Sequence, residues 1–406
     1  ADLFLVHDRP IVRPVDDSVV QMVGGAPQVL RSGRGYAPVR IAMEGIPEGI
    51  VAVGGHLKTA VAVTRRGAVI LGPHVGDLET PDSHRAHHSA LHDLTRFHGV
   101  KARRVARDLH PDFASSAMAE RLAVPVTPVQ HHVAHIVSGM AENGLKPPVL
   151  GIAWDGTGYG DDGTVWGGEV LAIDADGWRR IGHIRPFRLP GGEAAVKEPR
   201  RAALGLLYEA FGSEAFAMTG LTPVAAFDLK GRSVIHAMLE RSVNTPTTTS
   251  VGRLLDAFAA ICGICQVNTH EGRAASMLEW AATDRATGHA YPFPVEEVDD
   301  MLVVDWQPAL EAALADLHNR EAPGAVSESI HNGLAIAIRD LAGAAGRETV
   351  VMSGGCFQNV RLSEAASEAL EDAGFTPYGH RRVPPNDGGL ALGQAVWAAW
   401  MDEKGN

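Results

Sequence analysis

The stretch VLGIAWDGTGYGDDGT, at residues 149–164, decides the fold of this chain. Its first part, 149–154, is a short apolar run that is typical of a buried strand. Aspartates and glycines follow at once, and we expect them to form a turn directly after the strand. Such a turn lets backbone N–H groups approach phosphate oxygens, while the carboxylate of Asp155 can hold a metal ion or a water nearby. Glycine after a strand most often only makes a tight turn, so this stretch alone leaves both interpretations open.

A second strand with a glycine turn lies further along the chain. Residues 349–353 form another apolar run, Gly354 and Gly355 follow it, and a helical pattern then runs from 358 to 373. The N-terminus of a helix offers free N–H groups and a positive dipole end to an anion. We therefore expect an anion-binding turn here as well.

Two histidines four residues apart, His131 and His135, form a possible metal-binding motif. On a helix these positions share one face with Cβ atoms about 5–6 Å apart, so both imidazoles can bind one divalent metal ion. Asp387, in a downstream Asn-Asp-Gly-Gly segment, offers a carboxylate. This set leaves coordination positions open, which suits a catalytic iron or zinc ion. His132 points about 100° away around the helix and is interpreted as a supporting or structural residue. A histidine-bearing helix without metal is the alternative.

Two further polar segments have competing explanations. His84, His87 and His88 also have helical spacing, but neither a carboxylate nor a glycine turn accompanies them. We predict that they lie on a solvated helix face. The segment from Asp108 to Asp112 begins a helix with Asp112 as its cap, or else places a polar group in a cleft, and both interpretations stay open.

The apolar patterns divide the chain into two successive α/β sets, which imply two lobes with a cleft between them. Residues 215–250 are interpreted as an insertion with a polar loop. In the first set we expect strands at 50–54, 60–64, 68–72, 103–106 and 125–129, and helices at 82–97, 113–122 and 132–143. In the second set we expect strands at 149–154, 165–173, 179–185, 349–353 and 376–380, and helices at 198–211, 251–264, 271–285, 307–318, 325–344, 358–373 and 387–400.

Composition limits the classes of function. The 406 residues are 45% hydrophobic and carry a formal net charge of −12. An acidic chain without a basic stripe is a poor nucleic-acid binder, and no apolar run approaches the roughly 18 residues of a membrane helix. The three cysteines, Cys262, Cys265 and Cys356, form no disulfide framework and are predicted to pack as small buried hydrophobes. We expect a cytoplasmic enzyme that binds neither nucleic acid nor membrane.

These motifs together resemble a known family. The order of these motifs resembles that of the Kae1-like (TsaD-like) domain of the actin/sugar-kinase/Hsp70 superfamily. Their amino acids are similar to those of the HypF carbamoyltransferase family of [NiFe]-hydrogenase maturation. The resemblance covers roughly residues 48 to 400. It is carried by the segments 108–112, 130–135, 140–144, 155–169, 189–192, 198–201, 270–272, 353–355 and 382–389.

The resemblance implies a fold and a domain organisation. It implies a two-lobed, duplicated ribonuclease-H-like α/β fold with a nucleotide and metal cleft, in which lobe I spans 48–145 and lobe II spans 149–406. Residues 1–40 are similar to the last strands of a YrdC-like domain, and the rest of that domain does not occur in this sequence. We therefore expect this chain to make carbamoyl adenylate from carbamoyl phosphate and ATP poorly, and to transfer the carbamoyl group from preformed adenylate.

The resemblance also implies a reaction and a set of site residues. The family transfers a carbamoyl group from carbamoyl phosphate, through carbamoyl adenylate, to the C-terminal cysteine of HypE, for synthesis of the cyanide ligand. Alternatives are a small-molecule O-carbamoyltransferase, a tRNA threonylcarbamoyltransferase, which the net charge disfavours, and a HypE-docking module without turnover. A divalent metal at His131, His135 and Asp387, with Mg²⁺ on ATP, would be the cofactors. The further residues expected at the site are Lys58 and Asp155 in catalysis, and Asp155, Gly156, Thr157, Gly158, Glu271, Gly272, Gly354, Gly355 and Asn359 around the nucleotide and its phosphate.

Overall fold

The computed structural model describes residues 2–282 and 288–404, which form two lobes, each built on a mixed β-sheet. The two-lobed α/β fold that the sequence predicts is confirmed. A separate two-stranded hairpin precedes both sheets. This hairpin consists of β1 (Val19–Val23) and β2 (Ala26–Arg31).

The first lobe contains six strands and three helices. They are β3 (Val39–Ala42), β4 (Ile50–Ala52), β5 (Ala62–Thr64), β6 (Ala68–Leu71), α1 (Pro81–His98), β7 (Arg104–Asp108), α2 (Ala114–Glu120), β8 (Val126–Val129) and α3 (His131–Glu142). The sheet has the order β3-β6-β5-β4-β7-β8. Strands β4, β5 and β6 are almost entirely apolar and are buried along their whole length, because helices cover both faces of this sheet.

The second lobe is larger. Its elements are β9 (Val149–Tyr159), β10 (Val165–Asp174), β11 (Gly177–Ile184), β12 (Phe187–Arg188), α4 (Glu193–Lys197), α5 (Pro199–Phe211), α6 (Thr222–Ala225), α7 (Leu229–Glu240), β13 (Thr247–Thr248), α8 (Val251–Ile261), α9 (Arg273–Ala281), β14 (Val295–Val298), β15 (Met301–Val304), α10 (Gln307–His318), α11 (Pro323–Ala345), β16 (Thr349–Ser353), α12 (Val360–Asp372), β17 (Thr376–Tyr378) and α13 (Leu390–Lys404). The main path of its sheet runs β14-β15-β11-β10-β9-β16-β17.

The two sheets repeat one topology. In the first, β6-β5-β4-β7-β8 has two antiparallel ladders followed by two parallel ones, and in the second, β11-β10-β9-β16-β17 has the same sequence of ladders. The strand that comes first in the sequence in each repeated set of five, β4 in the first lobe and β9 in the second, is therefore central in that set. Because the carboxyl ends of neighbouring parallel strands meet at one edge, β4 with β7 and β9 with β16 each bring two loops to the cleft.

Helix α13 joins the two lobes. It follows the second lobe in the sequence, yet it packs against α3 and against strands of the first sheet. A Cβ on Gly393 would lie 1.8 Å from the carbonyl oxygen of Ala134, so a glycine is needed where these two helices cross. The predicted lobe II, 149–406, includes α13, whereas α13 packs on the lobe I side; the lobe boundaries themselves remain a prediction.

The N-terminal hairpin lies against the second lobe. The backbone N–H of Val29 donates to the carbonyl of Arg381 at 2.8 Å, and the side chain of Gln21 donates to the carbonyl of Gln358 at 2.8 Å. The next strand, β3, already pairs with β6 of the first sheet. The proposal that residues 1–40 are the end of another domain stays a prediction.

Several elements differ from the sequence prediction. The insertion at 215–250 holds two helices, α6 and α7, as well as loops, and the strands β14 and β15 are not in the predicted set. These strands are short and partly exposed, so they lack the apolar run that identifies a central strand. The helix expected at 271–285 is observed as α9, and the part of that prediction at 283–285 lies outside the described residues. Within the described chain, no helix is long and apolar enough to cross a lipid bilayer.

Candidate functional site

Four side chains from three parts of the chain converge in the cleft. Oδ2 of Asp155 lies 3.3 Å from Nε2 of His131 and 3.2 Å from Nε2 of His135. Oδ1 of Asp387 lies 3.6 Å and 3.5 Å from the same two nitrogens. One ligand atom from each residue lies within 4.8 Å of every other. The structure therefore brings together the three predicted metal ligands and adds Asp155 to them.

Helix α3 presents the two histidines. Gln130 is its N-cap, and the side-chain oxygen accepts the backbone N–H groups of His132 and Val133 at 2.6 and 3.0 Å. This cap starts the helix at His131, so the i and i+4 positions fall in the first two turns, on the face toward β9. The helix is buried up to Ala141, and both imidazoles are at most 2% exposed.

Asp155 lies within strand β9. We expected a turn directly after 149–154, and this is wrong, because β9 continues to Tyr159 and pairs with β10 over most of its length. The turn comes later, after the strand. Oδ1 of Asp155 accepts the backbone N–H of Gly156 at 2.7 Å and that of Gly355 at 2.9 Å. These two bonds leave Oδ2 to face the histidines.

Asp387 opens a short 3-10 turn before α13 and not the helix itself, which begins at Leu390. The side chain of Asn386 accepts the N–H of Gly388 at 2.9 Å, so Asn386 is the cap of this turn. Glu142, at the end of α3, accepts the backbone N–H groups of Arg382 and Val383 at 2.5 and 3.2 Å. The helix that carries the histidines thus also fixes the loop that leads to Asp387.

Asp108 orients one of the histidines. Its carboxylate is fully buried and lies 2.7 Å from Nδ1 of His131, so the Nδ1–H donates to it and Nε2 points to the cluster. Asp108, the first residue of the segment 108–112, therefore places a polar group in the cleft. The other interpretation, with Asp112 as a helix cap, is wrong, because α2 begins at Ala114 and has no side-chain cap.

The cluster requires positive charge. Burial disfavours an imidazolium, but the carboxylates of Asp108 and Asp387 outweigh it and raise the pKa of His131 well above its ordinary value. Burial likewise opposes the charge of Asp155, yet the hydrogen bonds from His131 and His135 hold its pKa well below its usual range. Two ionised carboxylates side by side need a cation between them, which protons on the histidines or one divalent metal ion would supply.

The donor set fits a divalent transition metal. Two imidazole nitrogens and two carboxylate oxygens suit iron or zinc, and the bond from His131 to Asp108 is the outer hydrogen bond that metal-binding histidines usually make. Metal binding by these residues stays a prediction, and so does the identity of the metal.

The other histidines and the cysteines do not join the cluster. His132 is buried, and burial next to His131 lowers its pKa well below the ordinary value, so it is neutral, as a supporting residue would be. The predicted solvated face at His84, His87 and His88 is wrong for His87, which is buried with Nε2 2.8 Å from the carbonyl oxygen of Val53. The three cysteines are free and buried, as predicted.

A cavity of about 110 Å³ lies next to Asp155 on the side of the second lobe. It has room for several water-sized groups. Six of the residues predicted around the nucleotide and phosphate line it: Asp155, Gly156, Glu271, Gly272, Gly355 and Asn359. The cavity and the cluster share Asp155, so a ligand in the cavity would lie next to one of the four cluster residues.

Three other predicted residues are not part of this lining. Gly354 turns the backbone after β16 with φ 106°, and a Cβ there would lie 2.2 Å from the carbonyl oxygen of Trp154. Gly158 lies against the ring of His132. Thr157 is the third predicted residue that is absent from the wall of the cavity. Both glycines have a packing role, as glycines near strands often do.

Lys58 reaches the cleft from the first lobe. Its ammonium forms an ion pair with Glu271, so the two predicted residues lie together. Burial opposes the charge of Lys58, but Glu271, Asp387 and Asp155 outweigh it and raise its pKa. Lys58 is thus a fixed cation close to the cluster.

Sequence reasoning missed an ion pair on α8. Arg253 and Asp256 are both buried and lie 3.1 Å apart, and Arg253 lines the cavity. The available signal was two opposite charges three residues apart inside an apolar helical stretch, since charged residues are rarely buried without a specific reason.

Comparisons with known proteins agree on one family. The model described as "HypF Kae1-like domain" matches residues 46–142, and "Carbamoyltransferase, Kae1-like Domain, second subdomain" matches residues 151–394. The carbamoyltransferase HypF of Synechocystis sp. is 41% identical over 410 residues, which cover 98% of this chain and 53% of that protein. A carbamoyltransferase HypF homolog of Cupriavidus necator is 37% identical, with 92% of this chain and 94% of that protein covered.

A solved structure is similar over almost the whole chain. A full-length HypF, crystallised in a phosphate- and nucleotide-bound form, aligns with a TM-score of 0.93 at 35% identity and covers 99% of this chain and 63% of that chain. This chain spans about half the length of the longer curated relatives, of which the Synechocystis protein is one.

We predict that His135→Ala and Asp387→Asn each lower the bound metal from about one ion per chain to nearly none, since each removes one of few donors. Metal content after incubation with Fe²⁺ or Zn²⁺ and desalting is the measurement. His132→Asn is the matched control, because this histidine is on the same helix but outside the cluster. Unchanged metal content in both ligand variants would remove the proposed site.

We predict that Asp108→Asn weakens metal binding by about 10- to 100-fold, since outer hydrogen bonds to a ligand histidine have effects of this size. Titration with Zn²⁺ against a competing chelator measures it. The exposed Asp112→Asn, an identical change four residues along, should leave the affinity as it is. An equal affinity in both variants would show that Asp108 does not orient His131.

Metal affinity should rise with pH. Because the pKa values of His131 and His135 are raised in the folded protein, binding must displace protons from them until the pH exceeds these raised values. The affinity should increase by up to about 100-fold per pH unit when two protons leave, and level off above that range. Calorimetry in buffers of different ionisation enthalpy counts the protons, and no proton release at acidic pH would contradict the argument.

Proposed function

This chain belongs to the HypF carbamoyltransferase family, and from that premise we propose that it transfers a carbamoyl group from carbamoyl adenylate to a protein thiol. The adenylate derives from carbamoyl phosphate and ATP, and the acceptor is the C-terminal cysteine of HypE, whose thiocarbamate leads to the cyanide ligand of [NiFe]-hydrogenase. Because the reaction uses ATP and a reduced thiol, we propose the cytoplasm as its compartment.

One observation supports the proposal above all. The His131, His135, Asp155 and Asp387 cluster opens on the cavity through the shared Asp155. Transfer of a carbamoyl group from phosphate to sulfur requires a cation near developing negative charge and a place for the nucleotide, and these two parts of the cleft adjoin.

A metal ion held by the cluster would supply Lewis-acid stabilisation for the phosphate or the carbamoyl oxygen. The protein's own groups do the rest. Asp155 keeps the cluster ionised and ties it to the Gly355 turn, while Asp108 keeps His131 in one orientation. The near-complete burial of the histidines excludes bulk water from this side of the cleft, which strengthens every charge interaction there.

Lys58 is the second positive charge that we assign to catalysis. It comes from the loop after β4, and its ion pair with Glu271 joins the two lobes across the cleft. An ammonium held here would stabilise the oxyanion that forms when a thiolate attacks the carbamoyl carbon. The bond from this carbon to the phosphate oxygen then breaks, and AMP leaves. Glu271 and Gly272 would then border the ribose or base, and Gly355 and Asn359 would border the nucleotide from the second lobe.

The deciding experiment supplies the chain, with metal and Mg²⁺, with HypE and one of two donors: carbamoyl phosphate plus ATP, or preformed carbamoyl adenylate. We expect thiocarbamate on the C-terminal cysteine of HypE from the preformed donor, detected by intact-protein mass spectrometry. His131→Ala should abolish transfer, and His132→Asn should retain it, because only His131 belongs to the cluster.

Other outcomes would favour the alternatives. HypE that stays unmodified with both donors, while a small-molecule hydroxyl acceptor is carbamoylated, would identify an O-carbamoyltransferase. Stable binding of HypE without any transfer would identify a docking module. Strong pyrophosphate release from ATP and carbamoyl phosphate by this chain alone would show that the expected division of labour between domains is wrong.

A further inference from the structure

One cationic side chain in the cavity has no role in the chemistry above. Arg253 is 4% exposed and is the only lysine or arginine among the described residues that line the cavity. Its Nη2 lies 3.6 Å from the position that a Cβ on Gly156 would occupy, so the guanidinium lies beside the backbone next to Asp155. The charge is therefore close to the cluster but on the nucleotide side of it.

The guanidinium of Arg253 is only partly satisfied. Its Nη2 lies 3.1 Å from Oδ2 of Asp256, while Nε and Nη1 are buried and make no hydrogen bond to any described residue. Burial raises the pKa of Asp256 to about 6 in spite of the nearby positive charge, so this carboxylate stays ionised at neutral pH but contacts only one nitrogen of the guanidinium. Burying a cation with free N–H groups is costly unless a partner compensates it.

The carboxylates that line the cavity already have partners. Asp155 accepts from the Gly355 turn and faces the histidines. Glu271 pairs with Lys58, and Glu279 accepts the backbone N–H of Val360 at 2.6 Å. None of them satisfies Arg253. Two nitrogens of Arg253 are therefore left without a partner from the described residues of the protein.

The fold holds the guanidinium in place. Ser250 caps α8 by accepting the backbone N–H of Arg253 at 3.1 Å, and its hydroxyl also donates to the carbonyl of Asp155 at 2.8 Å. A Cβ on Gly252 would lie 2.8 Å from Cα of Gly156, so the first turn of α8 touches the strand that carries Asp155. The position of Arg253 relative to the cluster is thus set by backbone contacts and not by a flexible loop.

We propose that Arg253 is the anion receptor of the cavity and binds the phosphate of a nucleoside monophosphate, such as the adenylate part of the donor. A guanidinium offers five N–H donors in a planar arrangement that matches phosphate oxygens, and its two free nitrogens allow a two-bond contact. The proposal rests on the proposed function, because it names the group of the nucleotide that this cavity recognises. It makes Arg253 a determinant of phosphate recognition.

The test compares AMP with adenosine, which lacks the phosphate. We expect Arg253→Met to weaken AMP binding by about 10- to 100-fold, as the loss of charge-assisted hydrogen bonds predicts, and to leave adenosine binding within about twofold. Isothermal titration of the metal-loaded chain measures both ligands. Equal losses for AMP and adenosine would show that Arg253 contacts the base or the ribose, and would overturn the proposal.

Asp256→Asn is the matched control. It breaks the ion pair but keeps the guanidinium, so AMP binding should be unchanged or tighter. If Asp256→Asn loses AMP binding as fully as Arg253→Met does, the pair is structural and the proposal is wrong. If Arg253→Met does not fold, Arg253→Lys keeps the charge and should bind AMP more weakly than the parent chain but still more tightly than adenosine.

Inorganic phosphate separates this inference from the proposed function. If AMP does not bind the parent chain, but phosphate raises its melting temperature and does not raise that of Arg253→Met, then Arg253 binds anions and the assigned nucleotide cavity is wrong. If AMP binds the parent chain and Arg253→Met equally, the cavity holds a nucleotide and Arg253 is not its receptor. If neither ligand affects the parent chain, both proposals fail.

Discussion

The close crossing of α3 and α13 is the constraint on which the rest of this site depends. The two helices approach so closely that any side chain at Gly393 would overlap the backbone of Ala134. Helix α3 carries His131 and His135, and the turn before α13 carries Asp387, so the crossing distance sets the geometry of the cluster. On its other side α3 packs against β9 and β16, which places Asp155 opposite the same two imidazoles.

The charges of the cluster make the arrangement of its side chains depend on a cation. Buried carboxylates from two distant parts of the chain face each other in a site almost closed to water, and such a pair persists only with a cation between them. A metal ion bound by the cluster would offset the folding energy that this arrangement costs, and metal affinity would then be linked to stability. Asp155 belongs both to the cluster and to the cavity wall, so this residue is a direct link between the two.

Much of the fold was predictable because its strands and helices have strong periodic patterns. Strand β4 lies in a continuous apolar run between Gly49 and Gly54, β16 has an apolar centre and ends before Gly354, and α3 has a helical histidine spacing. The short strands β14 and β15 lie at the edge of the second sheet, where partial exposure removes that pattern. The continuation of β9 through its glycines was missed because pairing with β10 overrides the local preference of glycine for a turn.

The sequence by itself determined which residue types were available and their order: the His-x3-His pair, the carboxylates at the ends of apolar runs, and the family that these motifs resemble. Spacing on one helix is a local property, so His131 and His135 could be paired without a structure. Only the tertiary structure decided that Asp108 and Asp155 join them, that His87 is buried against Val53, and that Arg253 enters the cavity. These contacts join residues far apart in the chain, and their distances follow from how helices and sheets pack, which no local pattern encodes.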